Sequence, residues 1–124
     1  MSRKTYFYAL LDPVTEEMCY IGRTRSPSRR LKQHCYKPNN FKGNVGMCLW
    51  ISSLSDIGLR PIMIFLDTRR EGDRDNKSDA KIESELIIKY WNDGHPLLNR
   101  HRTILSRRFY KEMRERCTNA ICNL

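Results

Sequence analysis

The sequence has no run of about 18 apolar residues, the length a membrane-spanning helix needs, so no membrane span or membrane partner is expected. Its first residues, Met-Ser-Arg-Lys-Thr, are polar and carry no apolar h-region. No secretory signal is evident, and a cytoplasmic location is expected. CxxC pairs are absent. The five cysteines, Cys19, Cys35, Cys48, Cys117 and Cys122, are odd in number and lack zinc-site spacing. That argues against a disulfide framework or a zinc centre and fits thiols in a reducing compartment. Internal repeats and low-complexity stretches are also missing. Acidic residues are few, 14 Asp and Glu against 23 Lys and Arg.

What remains is a basic chain of ordinary globular make-up. It has 124 residues, 40% hydrophobic and 30% charged, with a net charge of +9 and a pI near 9.6. The length suits one domain and allows a sizeable core. A basic balance selects partners rather than folds, and nucleic acid is a usual one.

The patterning gives an order of elements. Thr5 to Leu11, TYFYALL, is aromatic and branched and reads as a strand; Met18 to Arg23, MCYIGR, reads as a second. Asp12-Pro13 and the polar stretch to Glu17 separate them, implying an antiparallel hairpin. Ser26-Pro27 starts a helix running to about His34 or Cys35. Lys37 to Gly46 is a loop. Cys48, Leu49, Ile51 and Leu54 indicate a helix stopped by Gly58. Pro61 to Leu66, PIMIFL, is a continuous apolar run consistent with a buried strand. Thr68 to Asp79 reads as a charged loop, Asp79 to Trp91 as the best helix, and Arg102 to Arg116 as a last basic helix. The expected fold is α+β, a small three-stranded antiparallel or mixed sheet flanked by helices. Residues 1–100 would form the main domain, with 101–124 a basic helix and tail on or extending it.

Three sets of residues carry possible chemistry. On the helix near Ile82, the residues Ala80, Ile82, Leu86, Ile87, Tyr90 and Trp91 form one apolar face, and Glu83 falls in its middle. A carboxylate there is costly unless a metal ion or an arginine offsets it; a buried salt bridge would do so equally. Glu85 falls on the polar face with Lys89. Arg30 and His34, four apart, share a helical face, with Leu31 and Cys35 on the neighbouring one, toward the sheet. Arg30 can hold a phosphate with two parallel hydrogen bonds and His34 can carry a proton; both also suit a solvated helix end. Tyr6 and Tyr8 share one strand face with Phe7 opposite, and Tyr20 lies on the second strand. Such hydroxyls can bind water or accept protons, or the rings can serve cross-strand packing.

Together these residues resemble the GIY-YIG nuclease family. The first motif stands as Tyr6-Phe7-Tyr8 and the second as Tyr20-Ile21-Gly22. Arg30 follows ten residues past Tyr20, then His34, in RLKQH; the acidic motif is Glu83-Ser84-Glu85-Leu86-Ile87; HPLLN closes at Asn99. LWISSLSDIG followed by PIMIFLD is similar to the family's middle helix and third strand. The resemblance spans about Thr5 to Arg100. The family usually has Gly where this chain has Tyr6.

The resemblance implies a metal-dependent DNA endonuclease that leaves 5′-phosphate and 3′-hydroxyl ends. Glu83 would be the ligand of a single divalent ion, Mg²⁺ or Mn²⁺. Tyr8 would contact the attacking water as general base, helped by Tyr20. Arg30 would stabilise phosphate charge and His34 would relay a proton or touch phosphate. Gly22 and Asn99 would support the site structurally. Around it Arg23, Arg25, Arg29 and Lys32, and further on Arg107 and Arg108, suggest a surface that follows the DNA backbone. A homodimer or a targeting partner protein is possible on this reading. The alternatives are a nucleic-acid-binding module and a subunit that cuts only with a partner.

Overall fold

The computed structural model describes residues 3–36, 44–71 and 77–99. The elements are β1 (Lys4–Leu11), β2 (Met18–Thr24), α1 (Pro27–Tyr36), α2 (Val45–Asp56), β3 (Ile62–Arg70) and α3 (Asp79–Asn92). The fold is α+β, with one three-stranded sheet in the order β2-β1-β3. Both pairings are antiparallel. The expected basic helix at 102–116, with Arg107, Arg108, Cys117 and Cys122, lies outside the described residues, as does most of the expected loop at 37–46.

β1 is central, and Phe7, Tyr8, Ala9 and Leu10 are at most 1% exposed. Residues on both faces of this strand are therefore covered, which explains why its sequence is apolar nearly throughout. The β1–β2 connection is held by Asp12. Its carboxylate accepts the amides of Val14 at 2.8 Å and Thr15 at 3.2 Å, and the indole Nε1–H of Trp50 at 2.9 Å. One side chain thus closes the hairpin and fastens α2 to it. Burial raises the Asp12 pKa, but these three donors outweigh it and hold the carboxyl below its ordinary value.

α2 begins at Val45, within the stretch expected to be loop. Asn44 explains the early start: its side chain accepts the amide of Met47 as an N-cap. It also donates to the Leu98 carbonyl at 2.9 Å. The helix stops where Gly58 takes φ +74, a conformation glycine adopts without strain.

The third strand differs from expectation in length and burial. It runs through Arg70, because Thr68, Arg69 and Arg70 pair with Tyr6, Thr5 and Lys4. Backbone partners on β1 continue the ladder where side-chain hydrophobicity has ended. The run is not fully buried either. β3 lies at the sheet edge, with Ile62 and Phe65 about half exposed. The charged connection to α3 is correspondingly shorter.

α3 is rotated from its expected phase. Its buried residues are Ser84, Ile87 and Trp91, while Ala80 is exposed. Glu83 therefore stands on the flank of the buried stripe instead of its middle. Asp79 fixes this rotation at the first turn, accepting from the Thr5 hydroxyl at 3.3 Å and pairing with Arg69 at 3.2 Å. Ser84 tolerates burial because its hydroxyl donates to the Ala80 carbonyl.

The outer edge of β2 is covered by the segment after α3. Leu98 donates its amide to the Cys19 carbonyl at 2.7 Å. The Asn99 side chain accepts the Ile21 amide at 2.9 Å and donates to the Ile21 carbonyl. An edge that would expose strand donors and acceptors is closed by side chain and loop.

Candidate active site

β1, β2 and α1 bring three rings together. The Tyr8 hydroxyl lies 2.8 Å from Nε2 of His34, both buried. The Tyr20 and His34 rings meet edge-on with centroids 5.2 Å apart, and the Tyr8 and Tyr20 centroids are 6.2 Å apart. His34 is the one buried residue of α1; Leu31 and Cys35, on the neighbouring face, are only half-buried. A helix that buries a histidine while its apolar neighbours stay partly exposed is organised around the hydrogen bond to Tyr8.

Gly22 makes this cluster possible. It is the cross-strand partner of Tyr8. A Cβ at position 22 would stand 2.6 Å from the Tyr8 hydroxyl and 2.9 Å from Cε1 of Tyr20. The spacing in Tyr20-Ile21-Gly22 thus has a steric cause: the ring two residues earlier and the ring across the ladder share the volume a side chain would fill.

Arg30 and Glu83 act on the cluster through their charges. Burial, the neighbouring Tyr20 and the Glu83 carboxylate raise the Tyr8 pKa far above the ordinary phenol value, with Arg30 opposing. Tyr20 is pushed up to about 12 by burial and Glu83, again opposed by Arg30. His34 is pushed down to about 4 by burial and then by Arg30. At neutral pH the three rings are therefore uncharged, flanked by one cation and one anion.

The Glu83 side chain is 14% exposed, and its Oε2 lies 3.6 Å from Nε of Arg23, which is 42% exposed. No group of three or more potential metal ligands occurs among the described residues. A Mg²⁺ site commonly uses one or two carboxylates, with water and substrate phosphate completing the shell. A single, partly accessible carboxylate beside a basic surface fits that donor set.

Of the other sequence-derived candidates, Arg25 and Lys32 are exposed at the end of β2 and on α1. Asn99 sits behind the cluster, clamping Ile21 between Tyr20 and Gly22. Sequence reasoning missed the roles of Asp12 and Asn44, which had read only as turn and loop residues. It also passed over Arg3 and Lys4. The grouping of Arg3, Lys4 and Arg25 was not visible, because the hairpin register alone sets the two ends side by side.

Comparison with protein-family models, with curated proteins and with solved structures returns no match to this chain.

Proposed function

We propose that this protein is a DNA endonuclease of the GIY-YIG type, hydrolysing phosphodiesters with a single divalent ion, Mg²⁺ or Mn²⁺, to 5′-phosphate and 3′-hydroxyl ends. The observation that carries the reading is the buried Tyr8–His34 hydrogen bond, made against Tyr20 in space left by Gly22. Residues spaced along the sequence as in that family share one small volume, with Arg30 and Glu83 close enough to shift its pKa values.

In the proposed step a water oxygen forms the new bond to phosphorus, the bond to the 3′ oxygen breaks, and that oxygen takes a proton from solvent to leave as the 3′-hydroxyl. Tyr8 holds its proton too firmly to act as a free phenolate. Its oxygen can accept a proton from water as its own passes to Nε2 of His34, so the two residues serve as a relay. Arg30 offsets charge on the phosphoryl oxygens. Glu83 would hold the divalent ion, which when bound supplies charge neutralisation at the non-bridging and leaving oxygens. Asn99 fixes the strand that carries Tyr20.

A second reading is a nucleic-acid-binding module, or a subunit that cuts only with a partner. The observation favouring it is the guanidinium of Arg23, which lies beside the carboxylate that the ion would need. Supercoiled plasmid incubated with Mg²⁺, with EDTA and with the Glu83→Gln variant separates the two. Metal-dependent nicking or linearisation that disappears in a folded Glu83→Gln supports the nuclease. Persistent inactivity of folded wild type moves the assignment to the binding module.

A further inference from the structure

Beside the ring cluster lies a cavity of about 450 Å³, lined by Arg3, Lys4, Tyr6, Arg25 and Ser26. Three of the five lining residues are cations and none is acidic. Tyr6 supplies a ring wall, and Ser26 adds a hydroxyl where the chain enters α1. The cavity continues the track of the candidate site. Lys4, Tyr6 and Tyr8 alternate along one face of β1. Tyr6 pairs with Thr24 as Tyr8 pairs with Gly22, so the cavity begins one alternation from the buried cluster. Two strand residues span about 7 Å, and successive phosphates of one DNA strand advance about 3.4 Å along the helix axis.

We infer that this cavity is a phosphate subsite that takes a backbone phosphate one or two nucleotides from the scissile bond, held by Arg3, Lys4 and Arg25 against the Tyr6 ring. The inference rests on the nuclease reading and gives it a strand-positioning element. It also gives Tyr6 a use at a position where the resembled family has glycine: the ring closes the cavity wall.

The test is the salt dependence of duplex DNA binding, followed by fluorescence anisotropy in EDTA so that nothing is cut. Arg3→Ala/Lys4→Ala/Arg25→Ala is compared with wild type and with Arg60→Ala/Lys77→Ala/Lys89→Ala, which removes the same charge from exposed positions elsewhere. The subsite predicts that the first variant loses roughly one unit or more of slope in log K against log salt, the amount for one neutralised phosphate, while the second keeps the wild-type slope. Equal losses, or no loss in the first, would overturn it. A second measurement needs no variant. On wild type, a single neutral methylphosphonate one or two positions from the cleaved bond should weaken binding about tenfold, and a flat scan across those positions would exclude the subsite. Wild type that binds with this pattern yet never cuts would defeat the nuclease reading alone; wild type that cuts with an unaltered slope in the first variant would defeat the subsite alone.

Discussion

The Tyr8 hydroxyl and the His34 Nε2 meet at 2.8 Å inside the protein, 26 residues apart in sequence. Neither group is easily ionised there, since burial raises one pKa and lowers the other. The pair is thus a neutral hydrogen-bonded unit, through which the proposed relay would pass a proton.

Tyr8→Phe removes the hydroxyl from this unit and leaves a buried imidazole nitrogen to lose its partner. The expected cost is about 1–3 kcal/mol in unfolding free energy, read from the urea midpoint at constant m. Plasmid cleavage should fall by at least tenfold in a protein that is still folded at the assay temperature. Full activity in Tyr8→Phe would remove Tyr8 from the proposed relay.

His34 sets a pH window for stability. Its folded pKa of about 4 lies below the ordinary value of 6.5, so the unfolded chain binds the proton first as pH falls. Stability from this group is fully present above about pH 6.5, declines as pH drops toward 4, and is wholly lost below that. Metal-free protein unfolded by urea at pH 7.5 and at pH 4.5 should differ by about 2–3 kcal/mol from this group. His34→Phe should flatten the decline in this window. Asp12, whose pKa is lowered from 3.8, contributes its own loss only at more acidic pH.

Gly22→Ala places a methyl 2.6 Å from the Tyr8 hydroxyl. Tyr8 cannot stay where it is, and overpacking of this kind costs about 1–3 kcal/mol. The near-ultraviolet circular dichroism of the tyrosines should change with the far-ultraviolet spectrum retained, and cleavage should be lost. An unchanged aromatic spectrum would mean the strands spread without moving the ring.

Asn99→Ala leaves the amide and carbonyl of Ile21 without their side-chain partners. We expect a loss of about 2–4 kcal/mol and faster hydrogen exchange at the Ile21 amide than at Leu10, which lies on the central strand. Equal protection at both positions would show that backbone from 97–99 closes the edge without the side chain.

Arg23→Ala removes one ion pair from Glu83. The pair is partly exposed, so its contribution is small, about 0.2–1 kcal/mol. Calorimetric titration of DNA-free protein with Mn²⁺ should show affinity rising roughly two- to fivefold. Weaker Mn²⁺ binding in this variant would mean that Arg23 orients Glu83 instead of competing for it.

Much of this fold was legible in the sequence. The aromatic and branched runs on either side of Asp12-Pro13 located the hairpin, Gly58 located a helix end, and the charge and spacing around Arg30, His34 and Glu83 located the candidate chemistry. These features are local: alternation, helical period and turn residues act within a few positions of the chain. The length of β3 was not local, since Thr68 to Arg70 are strand only because Lys4 to Tyr6 offer them partners. The phase of α3 was not local either; Asp79 docking on Thr5 and Arg69 turned Glu83 from the middle of the apolar face to its flank.

The sequence by itself determined the order of elements, the hairpin and the residue types available to the site. The tertiary structure decided which of them touch. His34 is buried because Tyr8 waits on another element to share a proton with it, and Gly22 is glycine because two rings from different positions need its space. Asn99 matters because a sheet edge ends beside it, and the cations at both ends of the hairpin become one cavity only in register. Such contacts depend on distances between groups remote in sequence, which residue patterning does not encode but packing and hydrogen bonding fix together.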